Sequence, residues 1–177
     1  MSDLAYSIRR LSPGEAVTHI PALTGILLDC VEGGASVSFM APLDPARAEA
    51  FWRQIATDVA RGDRLLLVAA EEATGELLGT VQVVLAQTDN QPHRGDLCKM
   101  LVHRRARRRG VGEALMRAVE EEARAAGKTL LVLDTSTPEA ERLYERAGWV
   151  RVGFIPDYAL MPDGRPCGTT YFYKRIG

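Results

Sequence analysis

Apolar and polar residues follow two different periods along this chain, and each change of period marks an element. Residues 6–11 read as a short strand. Pro13-Gly14-Glu15 opens a helical pattern lasting to about Val31, which Pro21 is expected to bend or split. A glycine-led loop covers 33–39. Asp44 and Pro45 then supply an N-cap and a proline at the first helical position, predicting a helix to about Arg61. Residues 65–70 and 77–85 are apolar runs joined through Thr74-Gly75, the pattern of an antiparallel hairpin. A polar loop at 88–93 leads into a strand at 96–102. Val111, Leu115, Ala118 and Val119 recur at helical spacing, and Gly127 ends that helix. Residues 129–134 are almost wholly apolar, as in a strand at the centre of a sheet. Thr137-Pro138-Glu139 is a second N-cap and proline start, for a helix running to Gly148. Strands at 149–155 and 169–174 close the chain on either side of the Pro162-Asp163-Gly164 turn. This order predicts an α/β fold with a mixed sheet and helices on both faces.

Composition narrows the picture. At 177 residues, one domain covering 1–177 is expected. The chain is 46% hydrophobic and 25% charged, the profile of an ordinary globular protein. The net charge of −1 makes the arginine-rich segment at 104–109 a local feature, which argues against a nucleic-acid partner. No apolar run approaches the roughly 20 residues needed to cross a bilayer, so no membrane partner is expected. Met1-Ser2-Asp3-Leu4 lacks the basic and apolar segments of a signal peptide. The three cysteines, Cys30, Cys98 and Cys167, are too few and too scattered for a disulfide framework, and a cytoplasmic protein is expected. His19, His93 and His103 have no metal-ligand spacing with acids or cysteines, so no metal is expected. Trp52 and Trp149 read as packing anchors.

The most informative stretch is Arg107-Arg108-Arg109-Gly110-Val111-Gly112, between the strand at 96–102 and the following helix. A strand, a basic glycine turn and a helix start bring unpaired backbone N–H groups and the positive end of a helix dipole to one point. Gly110 and Gly112 leave the main chain approachable, and three arginines add charge for phosphate oxygens. The reading is a pyrophosphate cradle, hence a nucleotide-bearing ligand. It is not a Walker A loop, because no Gly-Lys-Ser/Thr follows. It is a poor dinucleotide fingerprint, because the third glycine would fall at Leu115.

What remains is R-x-x-G-x-G, carried by Arg107, Gly110 and Gly112, and this resembles the pyrophosphate motif of the GNAT acetyltransferase superfamily. Ala140, Leu143, Tyr144, Gly148 and Trp149 match the second signature of that superfamily, A-x-x-L-Y-x-x-x-G-[FW], at the family's spacing. Further stretches resemble the subgroup that includes tabtoxin resistance proteins: Glu32-Gly33-Gly34-Ala35-Ser36-Val37, residues 99–102, Leu133-Asp134-Thr135, and 156–164. The resemblance implies a GNAT fold: about seven strands, about four helices, and a splayed pair of parallel strands that holds acetyl-CoA as co-substrate. It places the pantetheine arm against the main chain of Met100, Leu101 and Val102, whose side chains read as core. It places the pyrophosphate on the main chain of Arg107, Arg108, Arg109, Gly110, Val111, Gly112 and Glu113. Family members often carry an asparagine contacting the pantetheine at the place held here by Thr137, whose plainest role is helix capping.

Three residues are candidates for chemistry. Tyr144 on its own would read as a core tyrosine, but the resemblance implies a general acid that protonates the departing thiolate. Asp96 falls where many family members carry a catalytic glutamate, and strict alternation puts it on the same sheet face as Val102. Asp134 ends an apolar strand, where a carboxylate needs a polar partner or a ligand. Either aspartate could be the general base. Cys98 has no histidine convincingly near it and reads as a buried structural cysteine. The function implied is transfer of acetyl from acetyl-CoA to a primary amine, or a hydroxyl, of a small molecule. The alternative is a non-catalytic acyl-CoA-binding module on the same fold. Loop 33–39 and Asp157-Tyr158 are expected to form the acceptor pocket, dimers are common in the family, and an amino-acid-like antimetabolite is the acceptor the subgroup suggests.

Overall fold

Helix starts in this chain are set by local chemistry that the computed structural model, which describes residues 5–177, displays at each N-terminus. Ser12 and Glu15 form a reciprocal capping box at the head of α1 (Pro13–Thr18). Pro21 then splits the predicted long helix, and α2 (Ile20–Glu32) begins one residue after His19. Asp44 accepts from the backbone N–H of Ala46 at 3.0 Å and starts α3 (Pro45–Arg61). Thr137 accepts from Ala140 N at 3.3 Å and starts α5 (Pro138–Arg146). The helix α4 (Val111–Ala125) has Gly110 as its N-cap and, like α2, no side-chain cap.

Seven strands, β1 (Tyr6–Arg10), β2 (Arg64–Glu71), β3 (Leu77–Val84), β4 (Arg94–Val102), β5 (Leu130–Thr135), β6 (Val150–Leu160) and β7 (Pro166–Arg175), form one sheet. Its order is β1-β2-β3-β4-β5-β7-β6. Every neighbouring pair is antiparallel except β4 and β5. Five helices are present among the described residues, one more than the expected four, because the proline divides the first. The strands β6 and β7 run to Leu160 and from Pro166, well beyond the expected 155 and 169. A register shift between Ile155 and Ala159, with Asp157 at φ 50°, lets the edge strand resume pairing past Pro156. At this free edge Val152, Phe154 and Tyr158 are exposed.

Each face of the sheet has its own core. One joins Leu97, Leu131 and Leu133 to the apolar stripe of α4 and to Tyr144 and Trp149. The other joins Leu66, Val68 and Leu101 to α1, α2 and α3, with Trp52 at its centre. Each fully buried leucine of this kind contributes about 1.5–3 kcal/mol. Both tryptophans are buried as predicted, and the indole N–H of Trp149 donates to Glu120 at 2.9 Å.

The split of β4 between the two cores is informative. Leu97 and Leu101 are four residues apart and would share a face in a regular strand, yet they enter opposite cores. The register explains this: Gln82 pairs with Cys98 and Thr80 with Leu101, so Lys99 and Met100 together face Val81. Lys99 takes φ 51° at this bulge. The expected sharing of one face by Asp96 and Val102 is therefore incorrect. Alternation fails because one extra residue lies between them.

Candidate active site

The parallel ladder between β4 and β5 holds three residue pairs, Arg94 with Leu130, Gly95 with Leu131 and Asp96 with Val132. Beyond them the strands part, as the resemblance implies, and the edge of β4 from Leu97 onward has no strand beside it. The gap opens into a cleft of about 200 Å³ lined by Cys98, Lys99, Met100, Asp134, Thr137 and Tyr144, with loop residues 35–38 across from them. A second hollow of about 340 Å³ adjoins it, sharing Ser36, Ser38, Asp134 and Ser136 and walled by Phe39, Met40, Tyr158 and Leu160. Loop 33–39 and Tyr158 thus meet beside the cleft, whereas Asp157 does not line either space.

At one end of the gap stands the glycine turn. Gly110 has φ 79°, which a non-glycine residue adopts only at a cost, and its carbonyl accepts from Ala114 N at 3.0 Å. The N–H groups of Val111, Gly112 and Glu113 precede that first helical bond and have no side-chain cap. The Glu113 side chain turns away to Arg117 at 2.7 Å. A pyrophosphate fits this place, where donors, dipole and charge coincide.

The arginines of the turn divide into two sets. Arg104 is bound to Asp29 and Glu32, and Arg105 to Glu76. Among the described residues Arg107, Arg108 and Arg109 form no ion pair. All three are exposed, Arg108 at φ 60°, and Arg107 Nε donates to the Val102 carbonyl at 3.2 Å. Asp29 holds the whole segment from α2. Its carboxylate accepts the Arg104 backbone N–H and the Arg104 guanidinium, each at 2.8 Å. Burial opposes its charge, but these bonds to Arg104 and the neighbouring His103 leave its carboxyl below the usual range. Sequence reasoning missed Asp29, whose partner is 75 residues away.

Tyr144 is 5% exposed on α5, packed against Trp149 and Phe172, and reaches the cleft wall. Burial first, then the negative charge of Asp134, pushes its hydroxyl far above the ordinary tyrosine range. It is therefore a proton donor throughout the neutral range. Asp134 lies across the cleft, and one oxygen is 2.8 Å from the Thr169 hydroxyl. Asp96 points to the same sheet face but outside the cleft, held by Gln87 Nε2 at 2.9 Å and Arg94 at 3.3 Å. Thr137 both caps α5 and lines the cleft. Burial raises the Cys98 thiol, which suits a structural cysteine more than a nucleophile. Lys99, which begins the 99–102 stretch but to which the resemblance assigns no role of its own, also lines the cleft, at the bulge.

Residues 34–149 match the model of the acetyltransferase (GNAT) family, and the chain belongs to that family. The splayed strands and the uncapped α4 terminus are suited to hold acetyl-CoA. An IAA acetyltransferase from Azospirillum brasilense is 31% identical over 106 residues, 59% of this chain and just under two thirds (66%) of that protein. Glucosamine 6-phosphate N-acetyltransferase 1 from Oryza sativa subsp. japonica is 33% identical over 114 residues, 63% of this chain and 68% of that one. The fold matches that of Salmonella typhimurium yncA, solved with its cofactor acetyl-CoA, at a TM-score of 0.78. That match has 19% identity and covers 98% of this chain and 95% of the other. Among the described residues no group of three or more His, Cys, Asp or Glu is arranged to hold a metal, and no helix is long and apolar enough to cross a membrane.

Proposed function

We propose that the enzyme moves the acetyl group of acetyl-CoA directly onto the primary amine, or a hydroxyl, of a small molecule, without a covalent enzyme intermediate. The observation that carries this reading is that Asp134 and Tyr144 line one cleft beside the parted strand β4, whose far end leads into the glycine turn at the head of α4. Main chain of Met100, Leu101 and Val102 receives the pantetheine arm, and the N–H groups of residues 107–113 receive the pyrophosphate. Asp134 accepts the proton that the acceptor nitrogen loses as it bonds to the acetyl carbon, directly or through a water. The carbon–sulfur bond breaks, and Tyr144 gives its proton to the departing thiolate. An N–H of the bulged β4 strand stabilises the oxyanion between these steps. Asp96, held by two partners outside the cleft, shapes the field on that face without contacting the acceptor.

The acceptor class follows the hollow of about 340 Å³, which suits a small molecule. The rice relative's name specifies a small amino sugar, which agrees with this class. Within it, an amino-acid-like antimetabolite, as in the tabtoxin resistance subgroup, is the reading we favour. A cytoplasmic, single-domain homodimer, paired through the exposed apolar edge of β6, belongs to the same proposal.

The test has two stages. Acetyl-CoA at about 100 times its dissociation constant stabilises the fold by roughly 2.7 kcal/mol, and NAD and ATP do not. Amines and amino acids are then screened for acetyl-CoA-dependent release of CoA. Stabilisation with no turnover of any acceptor would leave a non-catalytic acyl-CoA-binding module; no stabilisation would remove the cradle itself.

A further inference from the structure

Two charges of opposite sign line the acceptor cleft, and among the described residues neither has a counter-ion. Lys99 extends from the β4 bulge with its ammonium 3.0 Å from the Ser38 hydroxyl and 5.8 Å from the centre of the Phe51 ring. Among the described residues no carboxylate lies within ion-pair distance of it. The neighbouring cation, Arg64, is already neutralised by Asp58 at 3.2 Å. Asp134, across the cleft, has the Thr169 hydroxyl as its partner and no cation among the described residues. The two charges sense one another, since Asp134 favours the charged form of Lys99, yet they do not close into a pair. Burial works against the Lys99 charge most strongly. A partly buried ammonium without an anion is costly, and the cost is relieved when a ligand brings the anion.

Building on the acetyl-transfer reading, we infer that the acceptor is a small amine that also carries an anionic group, a carboxylate or a phosphate, with Lys99 binding the anion while Asp134 receives the amine. Both residues line one cleft with Ser36, Ser38 and Ser136, hydroxyls able to share the anion. The positive φ of Lys99 matters here. At the bulge the side chain departs from the strict alternation of β4 and turns toward Ser38, which lines the cleft, and the Phe51 ring. Ser38, its hydrogen-bond partner, also holds a positive φ, 76°, so two unusual backbone positions cooperate to place one ammonium.

The experiment compares amines in pairs that differ by the anion alone: L-amino acids with their amides, ethanolamine phosphate with ethanolamine, glucosamine 6-phosphate with glucosamine. Both CoA release and calorimetric binding to the CoA-saturated protein are measured. The anionic member of at least one pair is expected to win by about tenfold or more in kcat/KM, the worth of a charge-assisted hydrogen bond. Lys99→Met is expected to bring that ratio to about one by raising KM for the anionic member, and Lys99→Arg to restore part of it. Thermal midpoint and acetyl-CoA affinity report whether each variant is folded. Equal use of both members of every pair, an equal loss for both in Lys99→Met, or no anion-selective binding in any pair would overturn the inference. The acetyl-transfer reading fails separately, when acetyl-CoA does not bind or no amine of any kind is acetylated.

Discussion

The Thr169 hydroxyl lies 2.8 Å from Asp134 Oδ2 and 3.1 Å from the Thr135 carbonyl, so one proton serves two acceptors. Thr169 is fully buried, and its pairing fixes the Asp134 carboxylate at the cleft wall without neutralising it. Asp134→Asn is expected to lower kcat by about 10²-fold or more. Asp96→Asn is expected to cost less than about tenfold, because Asp96 is already engaged by Gln87 and Arg94. Steady-state profiles of the two variants decide between the carboxylates, and a larger effect at Asp96 would reverse their roles.

Tyr144→Phe tests the proton donor. The ring packing against Trp149 and Phe172 is retained, so the thermal midpoint should scarcely move. Turnover should fall by about 10²-fold, with KM for acetyl-CoA little changed. Because the hydroxyl is held far above its ordinary range, the wild-type enzyme should show no alkaline loss from this group between about pH 7 and 10.

The Asp29 clamp gives a pH signature in stability. Its carboxyl is depressed in the folded state, so its contribution is present above the unfolded value of about 3.9 and is lost as pH falls through the lower folded value. Asp29→Asn should cost about 1–3 kcal/mol at neutral pH, lowering the midpoint by roughly 2–4 °C per kcal/mol. The difference from wild type should shrink below about pH 4. Chemical denaturation at pH 7 and pH 3.5 makes the comparison.

Gly110→Ala forces a side chain onto φ 79° and brings its Cβ to 3.2 Å from the Tyr6 hydroxyl. A loss of about 1 kcal/mol in stability is expected, with several-fold weaker acetyl-CoA binding by calorimetry. Gly14→Ala, in open space at the first turn of α1, is the control and should leave acetyl-CoA binding unchanged.

What could be read in the sequence was mostly local chemistry. The Arg107–Gly112 turn, the Asp44 and Thr137 caps and the break at Pro21 depend on residues within a few positions of one another, and all four stand as predicted. The misreading at Asp96 and Val102 came from a bulge that leaves no compositional trace, since Lys99 looks like any strand lysine until its φ is known. Asp29 was hidden for a different reason: its partner Arg104 is brought to it only when α2 packs beside the end of β4. The length of β6 was underestimated because Pro156 argues for an end, whereas an edge strand can carry a proline and continue.

The three-pair ladder between β4 and β5 also has a mechanical consequence. It is the narrowest seam in the sheet, joining a four-stranded half to the three strands β5, β7 and β6. A ligand laid along the open edge of β4 would act as mortar across that seam. Backbone amides of β5 and of the β6–β7 hairpin should then exchange more slowly with solvent when acetyl-CoA is bound, while those of β2 and β3, already zipped along their length, should change little.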